Sequence, residues 1–68
     1  MTVVVNGRSV SLAEGARVAD AAAAAGVRDD RKGVAVALNG EVVPRSRWHE
    51  QRLAPDDRVE VLSAIGGG

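Results

Sequence analysis

The chain has 68 residues, no cysteine, a single histidine, and nine basic against nine acidic side chains. These values exclude a disulfide scaffold and a thiolate or histidine-rich metal centre. They also exclude the strongly basic footprint of a nucleic-acid or anionic-membrane binder, and with neither Phe nor Tyr beside Trp48 there is no platform for stacking single-stranded bases.

A chain of this size buries only about 60% of its unfolded surface. Its stability must therefore come from an aliphatic core, and Val and Ala supply one. No segment is long and apolar enough to span a bilayer, and the first residues do not resemble a signal peptide. The expectation is a soluble, cytoplasmic protein without a membrane partner.

Thr2 to Val5 is β-branched and ends at Asn6-Gly7, the strongest short hairpin signal. Arg8-Ser9-Val10-Ser11-Leu12 alternates polar and apolar, as a half-buried partner strand does. After a turn at Glu14-Gly15, Arg17 to Ala25 is the best helix-forming stretch. Val18, Ala21, Ala22 and Ala25 fall on one face of that helix, and the small side chains let it lie close to a sheet. Asp20 suits its first turn, whereas Arg17 stands where Ser, Thr or Asp is preferred. Gly26-Val27 reads as a left-handed cap with its hydrophobic contact.

Val27 to Lys32 is a charged loop. Gly33 to Leu38 is a continuous apolar strand, Asn39-Gly40 repeats the hairpin signal, and Glu41-Val42-Val43 returns as a short strand closed by Pro44. Arg45 to Leu53 is polar and irregular, with room for one helical turn carrying Trp48. Ala54 to Asp57 is a turn, and Arg58 to Ile65 is the last strand. Its alternation puts Leu62 and Ala64 on one face and Val61, Ser63 and Ile65 on the other. Apolar residues on both faces fit either a small two-sided core or an open face that docks partners, through Leu62 and Ala64.

Two hairpins thus flank one helix in the order ββαβββ. The expected fold is α+β, a β-grasp in which a mixed sheet of four to five strands packs on the helix. A right-handed crossover would set the last strand parallel to the first. Residues 1–65 form that domain, and 66–68 form a flexible tail of three glycines, Gly66, Gly67 and Gly68. Such a tail gives up packing and carries high ordering entropy. It is either a frayed end or a narrow stalk that presents the terminal carboxylate to another protein's active site.

With this order and these glycines, the chain resembles the ubiquitin-like sulfur carriers of the MoaD/ThiS group, specifically the ThiS family of thiamine biosynthesis. The likeness covers the whole chain. It is carried by Asn6-Gly7, by Val36-Ala37-Leu38-Asn39-Gly40-Glu41-Val42-Val43-Pro44-Arg45 with Trp48, and by Asp56-Asp57-Arg58-Val59-Glu60-Val61-Leu62 before Ala64-Ile65 and the glycines. The family often has Thr where Arg17 stands and usually ends on two glycines rather than three.

The resemblance implies a co-substrate rather than an enzyme. Gly68 would be adenylated by a ThiF- or E1-like enzyme, which binds ATP and Mg2+ itself, and then converted to a thiocarboxylate. The sulfur donor would be a cysteine desulfurase or a related persulfide source, and thiazole synthase would receive the sulfur. Gly66 and Gly67 would be gripped by those partners, where any Cβ would fill the channel. The chain itself holds no phosphate-binding loop, so no cofactor, metal or nucleic acid is expected on it. Alternatives in the same fold are a carrier for molybdopterin or another metabolite, and a modifier that forms isopeptide bonds. A further alternative is a plain interaction domain whose tail is inert. Trp48 reads as a packing anchor before a ligand contact, and His49 as a solvated loop residue. Arg45, Arg47 and Arg52 read as a solvated face before a partner contact.

Overall fold

The computed structural model describes residues 1–27 and 32–63. The strands are β1 (Thr2–Val5), β2 (Arg8–Ser11), β3 (Val34–Leu38), β4 (Glu41–Val43) and β5 (Arg58–Ser63), with one helix, α1 (Val18–Ala24), after β2. They form one five-stranded sheet in the order β2-β1-β5-β3-β4. β1 and β5 are parallel, and the other neighbours are antiparallel. This is the expected ββαβββ β-grasp.

Both Asn-Gly dipeptides make the turns their chemistry allows. Asn6 and Gly7 have φ of 50 and 81, and Asn39 and Gly40 have 50 and 88. These left-handed pairs, with Val5 opposite Arg8 and Leu38 opposite Glu41, define two-residue loops whose twist matches the strands they join.

The core lies between the helix and one face of the sheet. Val18, Ala21 and Ala22 of α1 meet Val3, Val5, Val36, Val43 and Val59 from four strands, with Trp48 and Leu53 closing one end. Each fully buried valine contributes roughly 1.5–2 kcal/mol of transfer free energy. Ala25, expected on this buried stripe, is instead exposed, because it is already the C-terminal cap of α1. The helix closes as the sequence suggests. Gly26 takes φ 88 and its N–H donates to Ala23 O at 2.9 Å, while the Val27 N–H donates to Ala22 O at 3.0 Å. That double bond pattern is the Schellman cap.

The other end of α1 explains Arg17. A guanidinium cannot accept a hydrogen bond, so it cannot serve the first turn as Ser or Asp would. The Trp48–Leu53 segment serves it instead. Val18 N–H donates to Gln51 O and Ala19 N–H to Trp48 O, both at 2.9 Å. Asp20 Oδ2 accepts from the Arg17 N–H at 2.7 Å, the reciprocal half of a capping box. Arg17 Nη1 then donates to His49 O at 2.8 Å, and Leu53 N–H donates to Ala16 O at 2.9 Å. The position expected to weaken the helix start is where an irregular segment is fastened to it.

That segment opens with a short 3-10 turn over Arg45–Arg47 and then buries Trp48. The Trp48 Nε1–H donates to Val43 O at 2.9 Å, and the Arg45 guanidinium lies 4.3 Å from the ring centroid. Trp48 is thus the packing anchor expected of it. The arginines of this segment have different tasks: Arg45 covers the indole, and Arg52 bridges to Arg17.

Candidate functional site

β5 carries the chain toward its last residues, so the site is built around that strand. Gly66, Gly67 and Gly68, with Ala64 and Ile65, lie outside the described residues. What the structure describes is the base from which they leave and the sheet face beside it.

β5 is a central strand, with β1 on one edge and β3 on the other. Its Val59 is buried and Val61 half-buried on the helix side, whereas Arg58, Glu60 and Leu62 point to the open face. Leu62 is 64% exposed and Val42 73%, the two large exposed hydrophobics among the described residues. Apolar residues therefore occupy both faces of β5, as the alternation suggested, and on the open face the core reading fails for Leu62.

The register shows what surrounds Leu62. Ala35 lies directly opposite it, and Ala37 lies opposite both Val42 and Glu60. Directly opposed residues share a face. The alanines add no bulk, so Leu62 and Val42 stand as two apolar projections roughly 12 Å apart on a shallow floor, from ordinary strand spacings. Val4 on the neighbouring β1 pairs with Arg58 of β5, so the Arg58 cation and the Glu60 carboxylate border the patch along β5. Sequence reading singled out Leu62 but passed over Val42. The signal was present: a two-residue turn at Asn39-Gly40 pairs Leu38 with Glu41, which forces Val42 onto the face of Ala37.

β5 is also held by side chains. Asn39 Oδ1 accepts from the Arg58 N–H at 2.9 Å while the Asn39 N–H donates to Arg58 O at 2.8 Å. Asn6 Oδ1 accepts from the Val61 N–H at 2.8 Å. Asp57 binds just before the strand, taking the Asn39 Nδ2–H at 3.0 Å and the Ala54 N–H at 2.7 Å. Sequence reading saw both asparagines only as turn formers.

Among the described residues, no group of His, Asp or Glu is placed to hold a metal ion, and no helix is long and apolar enough to cross a membrane. What this arrangement offers is a firmly based strand beside an exposed apolar patch.

A single helix grasped by a mixed sheet, with the first and last strands parallel at its centre, defines a β-grasp domain of the ubiquitin-like kind. Within that class the match is specific. The chain belongs to the ThiS family, whose model it matches over residues 3–68. It is similar to the crystal structure of a thiamine biosynthesis protein (ThiS) from Geobacter metallireducens, at 34% identity and a TM-score of 0.77, with all of both chains covered. It is likewise similar to the solution structure of a thiamine biosynthesis protein from the same organism, at 36% identity and a TM-score of 0.77. All of this chain and 88% of that one are covered. No curated protein sequence matches it significantly.

Proposed function

We propose that this protein is a sulfur carrier of thiamine biosynthesis, a co-substrate whose Gly68 carboxylate is activated and loaded by partner enzymes. The observation that carries this reading is the family match, which runs through residue 68 and so includes the glycines. The solved relatives, both thiamine biosynthesis proteins aligned over the full chain, support the same pathway.

A carboxylate is a poor electrophile because its charge is delocalised and oxide is its leaving group. Attack of the Gly68 carboxylate on the α-phosphorus of ATP expels pyrophosphate and leaves an acyl-adenylate. A persulfide sulfur then attacks the acyl carbon and expels AMP. Cleavage of the resulting acyl disulfide by a thiol leaves the thiocarboxylate on Gly68 and the thiol as a disulfide. The adenylating enzyme, of the ThiF or E1 type, supplies the MgATP site, and a cysteine desulfurase or related donor supplies the persulfide. Thiazole synthase takes the sulfur. The setting we propose is the cytoplasm, where ATP reaches the activating partner.

This chain's own contribution is geometric. Gly66 and Gly67 have no Cβ to obstruct a narrow channel, and Gly68 is the acyl group. The open face of β5 at Leu62 is the surface we assign to partner docking, with Val42 beside it, and the alternation of the sequence extends that assignment to Ala64. Incubation with the activating enzyme, MgATP and a persulfide donor, followed by intact-mass measurement, tests the reading. The expected product is heavier by the difference between one sulfur and one oxygen, with the change localised to Gly68. High-mass conjugates would instead mark a protein modifier, and an unaltered mass would mark an inert domain.

A further inference from the structure

Asn6 must be left-handed for its turn, and that requirement concerns only its backbone. Its side chain does something the turn does not need. Backbone pairing of β1 with β5 ends at Val5 opposite Val59, where β1 bends away into the hairpin. The Asn6 N–H still reaches Val59 O at 2.9 Å. The following donor on that edge of β5 is the Val61 N–H, and in an uninterrupted parallel ladder a β1 carbonyl would take it. Here the Asn6 carboxamide oxygen takes it, at 2.8 Å. One side chain thus adds a rung to the ladder after the strand that would supply it has gone.

Without that rung, β5 from Val61 to Ser63 is held by backbone, among the described residues, on the β3 side alone, where pairing runs to Ser63 opposite Val34. One-sided strand ends fray, and each residue released must be ordered again against its conformational entropy. We infer that Asn6 is a positioning residue for Gly68, acting through Val61 to keep the base of the tail fixed while the terminal carbon is placed in a partner's active site. The inference rests on the carrier function proposed above. Two stages separate its effect from docking. The open face brings the partners together and governs KM. Insertion of the tail within the docked complex governs kcat, and a frayed base depletes the inserted population.

The test uses the full chain and its activating enzyme, reading pyrophosphate release, with Asn6→Gly and Asn6→Asp. Both residues tolerate the left-handed backbone, so turn strain is held constant. Gly removes the acceptor, and Asp keeps one. Asn6→Gly should lower kcat about 3- to 10-fold, the net worth of one hydrogen bond, with KM within about two-fold of wild type. The Val61 amide should exchange faster with solvent, and Asn6→Asp should restore both readings. A wild-type kcat in Asn6→Gly, an unchanged Val61 exchange rate, a rise confined to KM, or no rescue by Asp would each overturn the positioning role alone. Absence of pyrophosphate release from the wild-type chain would instead remove the carrier reading, and the role with it.

Discussion

Asn39 donates from Nδ2 to Asp57 Oδ1 at 3.0 Å, across the end of the sheet where β5 begins. The orientation of the carboxamide is set by its other bond, since the Arg58 N–H requires an oxygen and receives Oδ1. Asn39 is thus a donor toward one residue and an acceptor toward the next, through the two different atoms of one carboxamide.

Asn39→Asp keeps the shape and the acceptor while replacing the donor with a second carboxylate facing Asp57. The expected loss is about 1–2 kcal/mol at neutral pH, from the lost hydrogen bond and like-charge repulsion. The repulsion exists only while both carboxyls are ionised, so the penalty is present at neutral pH and is relieved once acid protonates either of them. Chemical denaturation of both proteins at several pH values should show their stabilities converging in acid. A gap that stays constant on acidification would contradict the charge argument.

Trp48 is the largest side chain in a core otherwise built of Val, Ala and Leu, and its indole N–H satisfies the buried Val43 carbonyl. Trp48→Phe should cost about 2 kcal/mol from the orphaned acceptor and the lost volume, and Trp48→Ala about 3–5 kcal/mol. In a domain of this length each kcal/mol lowers Tm by roughly 4–8 °C. Thermal unfolding followed by far-UV circular dichroism reads both variants without the indole signal. Wild-type Tm in Trp48→Phe would mean that the Val43 carbonyl finds water readily.

The fold was legible because its turns are chemically explicit. Asn6-Gly7 and Asn39-Gly40 marked two hairpins, the alanine stretch marked the helix, and Gly26 marked its end. The order of those elements then led to the parallel pairing of β1 with β5. The bonds that cross the fold were not legible. Nothing local to Asn6 reveals that Val61, fifty-five residues away, donates to it. Nothing local to Arg17 reveals that Trp48 and Gln51 carbonyls take over the helix cap. Such bonds depend on which loop the topology brings past a terminus, whereas propensity and periodicity report only on neighbours in sequence. Of the candidate site, Leu62 was legible from alternation alone, while Val42 needed the hairpin register as well.

Leu62 is exposed and lies outside the core cluster, so its removal should be nearly neutral for stability. If the open face docks the activating enzyme, Leu62→Glu should raise KM at least about 10-fold, in the range of an interface anchor lost, with kcat little changed. Val42→Glu should act in the same direction. Equal KM values for wild type and both variants would move the docking surface elsewhere. The pattern is the reverse of the one expected for Asn6→Gly, so the two sets of kinetics test docking and insertion independently.

Gly67→Ala asks whether the tail works by fitting. The core described for the domain closes through Val59 and the described pairing of β5 with β3 reaches Ser63, and none of those contacts calls on residue 67. Tm should shift by less than about 2 °C. Adenylation should nevertheless slow by about 100-fold or more, because an added Cβ either meets the channel wall or displaces the acyl carbon, and misplacement near 1 Å is enough for such a loss. Appending one residue after Gly68 should abolish loading altogether, since the activated carboxyl would then belong to the added residue and lie beyond the position of attack. Pyrophosphate release and intact mass read both variants. Stability and activity falling together in Gly67→Ala would make the glycines part of the fold. Normal loading of the extended chain would show that the partner does not measure the tail from its end.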